Sequence, residues 1–142
     1  MSSELPSVEW LVGDTLAKAE FFRESESWLL TFGSGSTINI ECLWRLKVNG
    51  TIVATGYDHG HMFGLPAPFD SSAALLERVK GESVSFVRVQ SGTTDLHTGF
   101  GPTHVFEALP VSTGYESWQA TSPKYGTVYA LGNGQLCTFN EA

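Results

Sequence analysis

The chain has 142 residues, 42% of them hydrophobic, with four Trp and nine Phe, enough to bury a core of its own and too apolar for a disordered chain. Eight Lys and Arg face 15 Asp and Glu, a formal net charge of −7, which argues against nucleic acid and anionic membrane as partners and would steer a basic one toward the surface, although charge alone favours the plainer reading that acidity keeps the chain soluble. No apolar run approaches the ~20 residues of a membrane span, and Met1-Ser2-Ser3-Glu4-Leu5-Pro6 lacks the basic start and apolar centre of a signal peptide, so a cytoplasmic location is expected.

Taken in order, Val8, Leu11 and Val12 have the spacing of a short helical turn ahead of Gly13. Strands are expected near 16 to 23 and 27 to 32, with Glu24-Ser25-Glu26 turning between them, and Gly33-Ser34-Gly35-Ser36 makes the next turn. From Ile38 to Val48 every second residue is apolar (Ile38, Ile40, Cys42, Trp44, Leu46, Val48), while Asn39, Glu41, Arg45 and Lys47 are polar and only Leu43 breaks the rule. That period of two predicts one half-buried strand over 37 to 48. Asn49-Gly50 supplies the positive-φ pair of a tight hairpin turn, and Thr51-Ile52-Val53-Ala54 runs back over 51 to 55.

The segment Tyr57 to Asp70 holds two histidines, several glycines and prolines, and the apolar Met62, Phe63, Leu65 and Phe69, which are expected to pack partly onto a sheet. Asp70 can cap a helix over 71 to 80 whose apolar side is Leu75, Leu76 and Val79, and Gly81 can end it in a left-handed conformation. Further strands are expected near 83 to 90, 95 to 100, 103 to 109, 115 to 121, 126 to 131 and 135 to 139.

The chain also repeats itself. A shift of 68 residues lays Gly13-Asp14-Thr15-Leu16 on Gly81-Glu82-Ser83-Val84, Trp28 on Leu96, Phe32-Gly33 on Phe100-Gly101 and Ile38 on Phe106. After an insertion near Leu109 to Gly114, Trp44 meets Trp118 and Gly50 to Ala54 meets Gly126 to Ala130. The expectation is a single mainly β (β-rich α+β) domain over 1 to 142. Two pseudo-symmetric antiparallel meander halves, 13 to 55 and 81 to 131, would form a sandwich or partly open barrel, joined by a linker and helix over 56 to 80.

The residue chemistry offers no convincing catalytic constellation. His59 and His61 with Asp58 could begin a metal site, but His97 and His104 lie on distant strands without a ligand spacing, so neither metal nor cofactor is expected. There is no Gly-x-Ser-x-Gly elbow, no glycine-rich loop opens a helix, and Cys42 and Cys137 lie in strand patterns that suggest buried thiols. Trp44 and Trp118 read as core, and on the opposite faces Arg45 and Glu116 could pair across a sheet or mark a partner site, the pairing being the favoured reading because exposed cross-strand charge pairs are ordinary. Residues peculiar to one half are better candidates for a partner-binding surface than residues used twice. These are Tyr57, Asp58, His59 and His61, with the acidic residues Glu20, Glu24 and Glu26.

Trp44-Arg45-Leu46, Asp58-His59-Gly60-x-x-Phe63-Gly64-Leu65-Pro66, Asp95-Leu96-x-Thr98-x-Phe100 and Ser112-x-Gly114-Tyr115-Glu116-x-Trp118 resemble motifs of a group of small bacterial β-rich proteins. Members of that group look like immunity proteins of polymorphic toxin and contact-dependent growth inhibition systems. The likeness runs from about Gly13 to Phe139; Thr98 departs from it, since the strand pattern there favours a larger apolar residue. The resemblance implies a non-enzymatic inhibitor that binds a cognate toxin domain, a basic nuclease by preference, and masks its active or substrate-binding surface. The alternative is a non-catalytic small-ligand or protein-binding β module.

Overall fold

A computed structural model describes residues 7–139. Its strands are β1 (Leu16–Phe22), β2 (Ser27–Phe32), β3 (Thr37–Ile40), β4 (Leu43–Val48), β5 (Thr51–Thr55), β6 (Val84–Val89), β7 (Leu96–Phe100), β8 (His104–Leu109), β9 (Trp118–Ser122), β10 (Gly126–Ala130) and β11 (Leu136–Phe139). One helix, α1 (Ser71–Val79), separates β5 from β6, and the expected turn before Gly13 is a 3-10 turn over Glu9–Leu11.

The strands form two antiparallel sheets that do not close into a barrel. Sheet I has the order β1-β2-β3-β9-β10-β11 and sheet II the order β5-β4-β8-β7-β6. The fold is therefore a sandwich. Each half of the chain places three consecutive strands in one sheet and passes its next two to the other: β1, β2 and β3 are completed by β9 and β10, while β6, β7 and β8 are completed by β4 and β5.

The single strand expected over 37 to 48 is consequently two strands, broken at Glu41-Cys42 where the chain changes sheets. The alternation does not register the change because both sheets turn their inner faces to the same core. Ile38 and Ile40 from sheet I and Trp44 and Leu46 from sheet II are all 2% exposed or less. The expected strand at 115 to 121 likewise starts only at Trp118.

Residues at the repeat offset meet across the molecule. Thr15 and Ser83 form an isolated antiparallel bridge with each other. Gly33 N–H donates to Thr15 O at 2.8 Å, and its counterpart Gly101 N–H donates to Ser83 O at 3.0 Å. The rings of Phe32 and Phe100 stack with centroids 6.5 Å apart and planes within 6°.

The hairpin turn at Asn49-Gly50 has both residues at positive φ, 52° and 80°, as its sequence requires. Asp70 caps α1 through a hydrogen bond from Ala73 N–H at 3.1 Å, and Gly81 follows its end at φ 81°. Leu75 and Val79 are buried. The helix packs on β1 and β5, an edge strand from each sheet, and covers edges that would otherwise present unpaired backbone groups.

Candidate functional site

The segment between β5 and α1 is a loop with its own hydrogen-bond scheme. His59 N–H donates to Gly56 O, His61 N–H to Asp58 O, Leu65 N–H to Met62 O, and the strands of the loop close on each other through Gly60 N–H to Phe69 O and Phe69 N–H to His61 O, both 2.8 Å. Its far end is tied to the sandwich by Ser71 Oγ, which donates to Thr55 O at 2.7 Å. Hydrogen bonds thus hold the loop at both ends, which lowers the entropy it would lose on docking.

His59 is the pin of this arrangement. Its Nδ1 accepts the hydrogen bond of Ser71 N–H at 3.1 Å, so the ring acts as a cap for the first turn of α1. The ring lies 5.0 Å from both Phe21 and Trp28, and Trp28 stands edge-on to Trp44 at 5.2 Å. Beneath it, a Cβ at Gly56 would run into Trp44 Nε1, so the chain can pass the indole only as glycine. Trp118, the repeat mate of Trp44, donates its Nε1–H to Thr94 O at 2.9 Å, whereas Trp44 Nε1 has no partner among the described residues.

What the loop shows to solvent is apolar. Tyr57 is 72% exposed, Phe63 61%, Met62 48% and Leu65 47%. The expectation that Met62, Phe63 and Leu65 pack onto a sheet is corrected: the interior is already filled by the two sheets and α1, and only Phe69 among the loop's large apolar residues is half-buried. Tyr57, His61 and Phe63 form a line of rings 5.5 and 5.4 Å apart. Phe63 has φ 48°, a conformation that a bulky side chain rarely adopts and that the surrounding hydrogen bonds must hold.

A groove of about 620 Å³ runs beside the loop, lined by Phe21, Arg23, Glu26, His59, His61 and Phe69 among others. Of the residues singled out in the sequence, Glu26, His59 and His61 meet there; Tyr57 and Asp58 belong to the adjoining loop. Glu24 lies exposed in the β1–β2 turn and does not line the groove. Glu20 stands on the other face of β1 from Phe21 and pairs with Lys18 at 3.4 Å. Among the described residues no three His, Cys, Asp or Glu side chains converge as a metal would require, and no helix is long and apolar enough to cross a membrane.

Two further expectations are corrected. Arg45 does not pair with Glu116; its Nε donates to Glu107 Oε1 at 2.7 Å, because β8, not β9, is the neighbour of β4. Glu116 Oε1 is instead buried without a partner among the described residues, and burial together with the charge of Glu41 raises its pKa. Cys137 is exposed, since β11 is an edge strand, whereas burial pushes the half-buried Cys42 thiol up to about 12 and leaves it unreactive. Thr98 fills the inward position of β7 at 1% exposure.

Fold and loop together define a β-sandwich that carries a preformed, ring-rich loop at one side. Comparison with protein-family models, with curated proteins and with solved structures gives no match.

Proposed function

We propose that this protein is an immunity protein, which binds a cognate bacterial toxin domain in the cytoplasm and neutralises it by covering its active or substrate-binding surface. The observation that carries the reading is the 57–69 loop: hydrogen-bonded at both ends, it holds Tyr57, Met62, Phe63 and Leu65 in solvent, with Phe63 strained. Exposed apolar clusters edged by polar groups are interaction surfaces, and aromatic anchors held in advance lose little entropy on docking. Asp58, Glu24 and Glu26 give the surroundings an acidic character that suits a basic nuclease domain, and the net charge of −7 would speed its approach. The reading makes the protein a stoichiometric inhibitor with no chemistry of its own.

Coexpression with the toxic domain encoded by the neighbouring upstream gene tests it. Growth rescue together with copurification is expected from the wild type, and loss of both from a Tyr57→Ala/Phe63→Gly variant. A neighbour that is not toxic, or is toxic and neither bound nor neutralised, overturns the reading for that pair. The groove of about 620 Å³ supports a second reading, a non-catalytic small-ligand module. A small molecule that competes with the toxin for the protein would favour it.

A further inference from the structure

Because the two sheets are built alike, the outer face of each is an internal control for the other. Across sheet II one transverse row reads Thr55, Arg45, Glu107, His97, Arg88 from β5 to β6. The matching row of sheet I, from β10 to β1, reads Tyr129, Gln119, Asn39, Leu29, Glu20. The backbone places are the same and the chemistry is different. On sheet II, Glu107 is 4% exposed although it points away from the core, because two cations and an imidazole ring close over it. Arg45 Nε lies 2.7 Å from Oε1, Lys47 Nζ 3.3 Å from the same oxygen, and His97 Nδ1 3.0 Å from Oε2. Sheet I holds the same pairing with two amides and a leucine, so the cluster is not something the repeated architecture imposes.

The cluster leaves donors to spare. A guanidinium has five N–H groups and an ammonium three, and Glu107 engages only one nitrogen of each while their side chains remain 38% and 28% exposed. Glu107 holds the two cations in fixed positions, which lowers the entropy lost when they take a second oxyanion. The strands of sheet II carry Arg45, Lys47 and Arg88 against Glu107 alone, in a chain whose acids outnumber its bases 15 to 8. Around them Leu43, Ile52 and Phe86 are exposed by 47%, 52% and 40%. Phe86 lies across Gly99, where a Cβ would collide with its ring.

We infer that the outer face of sheet II docks an acidic segment of a partner protein, with carboxylates taken by Arg45 and Lys47 and apolar side chains laid on Leu43, Ile52 and Phe86. Charge complementarity selects this occupant. A nucleic-acid site commonly uses about six to ten phosphate contacts, whereas this face has three permanent cations with a carboxylate among them, flanked by apolar side chains that a polyphosphate would leave uncovered. The surface adjoins the 57–69 loop at Thr55, whose Oγ1 accepts from Asp58 N–H at 3.1 Å, but it uses none of the loop residues and does not rest on the toxin reading.

Binding of a fluorescent peptide of alternating glutamate and leucine to the full chain, followed by anisotropy at low salt, tests the inference. A peptide of alternating glutamine and leucine is the control. The expected result is at least tenfold tighter binding of the glutamate peptide, lost in Arg45→Gln/Lys47→Thr. That variant copies Gln119 and Thr121 of sheet I, which there lie beside the neutral Asn39 where sheet II has Glu107, so its melting temperature is measured beside its affinity. Should it melt early, the exposed Arg88→Glu, which copies Glu20, gives a second readout with about threefold weakening expected. Equal affinity for the two peptides, or no change in a folded variant, overturns the inference. So does an oligothymidylate that displaces the glutamate peptide at a lower concentration than unlabelled peptide does, since the face would then be a nucleic-acid site.

Discussion

Phe63 joins conformational strain to exposure, and neither property serves the folded state. A bulky residue at φ 48° costs on the order of 1–3 kcal/mol, and glycine there would give back about 0.5–1 through its greater freedom when unfolded. Phe63→Gly is therefore expected to raise stability in denaturant by about 1 kcal/mol while weakening the toxin complex by 2 kcal/mol or more. A variant that loses stability and keeps its affinity would remove Phe63 from the interface. Glu116 gives a second prediction through pH. Burial and Glu41 raise its pKa in the folded state, so ionising it works against folding. That cost is absent at low pH, sets in as pH rises from about 4, the ordinary carboxylate value, to the raised folded value, and persists above it. Glu116→Gln should thus be more stable than wild type at pH 7 and equal to it at pH 3, as measured by chemical denaturation. Glu107 acts with the opposite sign. Burial favours its neutral form, but the hydrogen bonds and charges of Arg45 and Lys47 prevail and lower its pKa, so its contribution is present at neutral pH and is lost as pH falls through the folded value.

Among elements, α1 is short, and its start is held by two side chains at once: Asp70 accepts from Ala73 N–H and His59 from Ser71 N–H. Cap and loop therefore share a boundary. Asp70→Ala is expected to cost about 1 kcal/mol. Because His59 belongs to the loop, amide exchange should quicken in residues 57–69 as well as in α1, while the sheets keep their protection. Confinement of the change to α1 would show that the loop is ordered without the helix. This element was legible in the sequence from Asp70, Leu75, Val79 and Gly81, each of which acts through local chemistry. The exposure of Met62, Phe63 and Leu65 was not legible, because composition reports apolarity and only packing reports whether the core has room left. His59, a candidate binding residue by sequence, both lines the groove and caps a helix, and the second role is hidden because a single sequence does not say which backbone amide a histidine will meet.

At the scale of the molecule, the strands and the repeat could be read from alternation and turn residues, and the sandwich class from their number. The exchange between sheets could not. A chain that keeps even-numbered residues inward from Ile38 to Leu46 looks the same whether it stays in one sheet or crosses at Cys42. Charge was legible along the chain but not by face: acids outnumber bases before residue 31 and after residue 94, and only the strand pairing gathers Arg45, Lys47 and Arg88 on sheet II. For the toxin encounter the acidic remainder should dominate at long range. Association is expected to slow about tenfold between roughly 10 mM and 0.5 M salt, as the screening length contracts from about 30 Å to a few ångströms. Stopped-flow rates that change less than twofold would discard electrostatic steering.

The crossing at Glu41-Cys42 has a consequence for how the protein comes apart. Since β4 and β5 sit in the sheet begun by β6, β7 and β8, and β9 and β10 in the sheet begun by β1, β2 and β3, each half of the chain is clasped by the other. Proteolytic nicking within 57–69 would leave two pieces that still complete each other's sheets, joined by the β3–β9 and β4–β8 ladders. Such fragments should stay together through gel filtration without denaturant, melt in a single transition, and find each other again when mixed, as the arms of two people linked at the elbow part only if both let go.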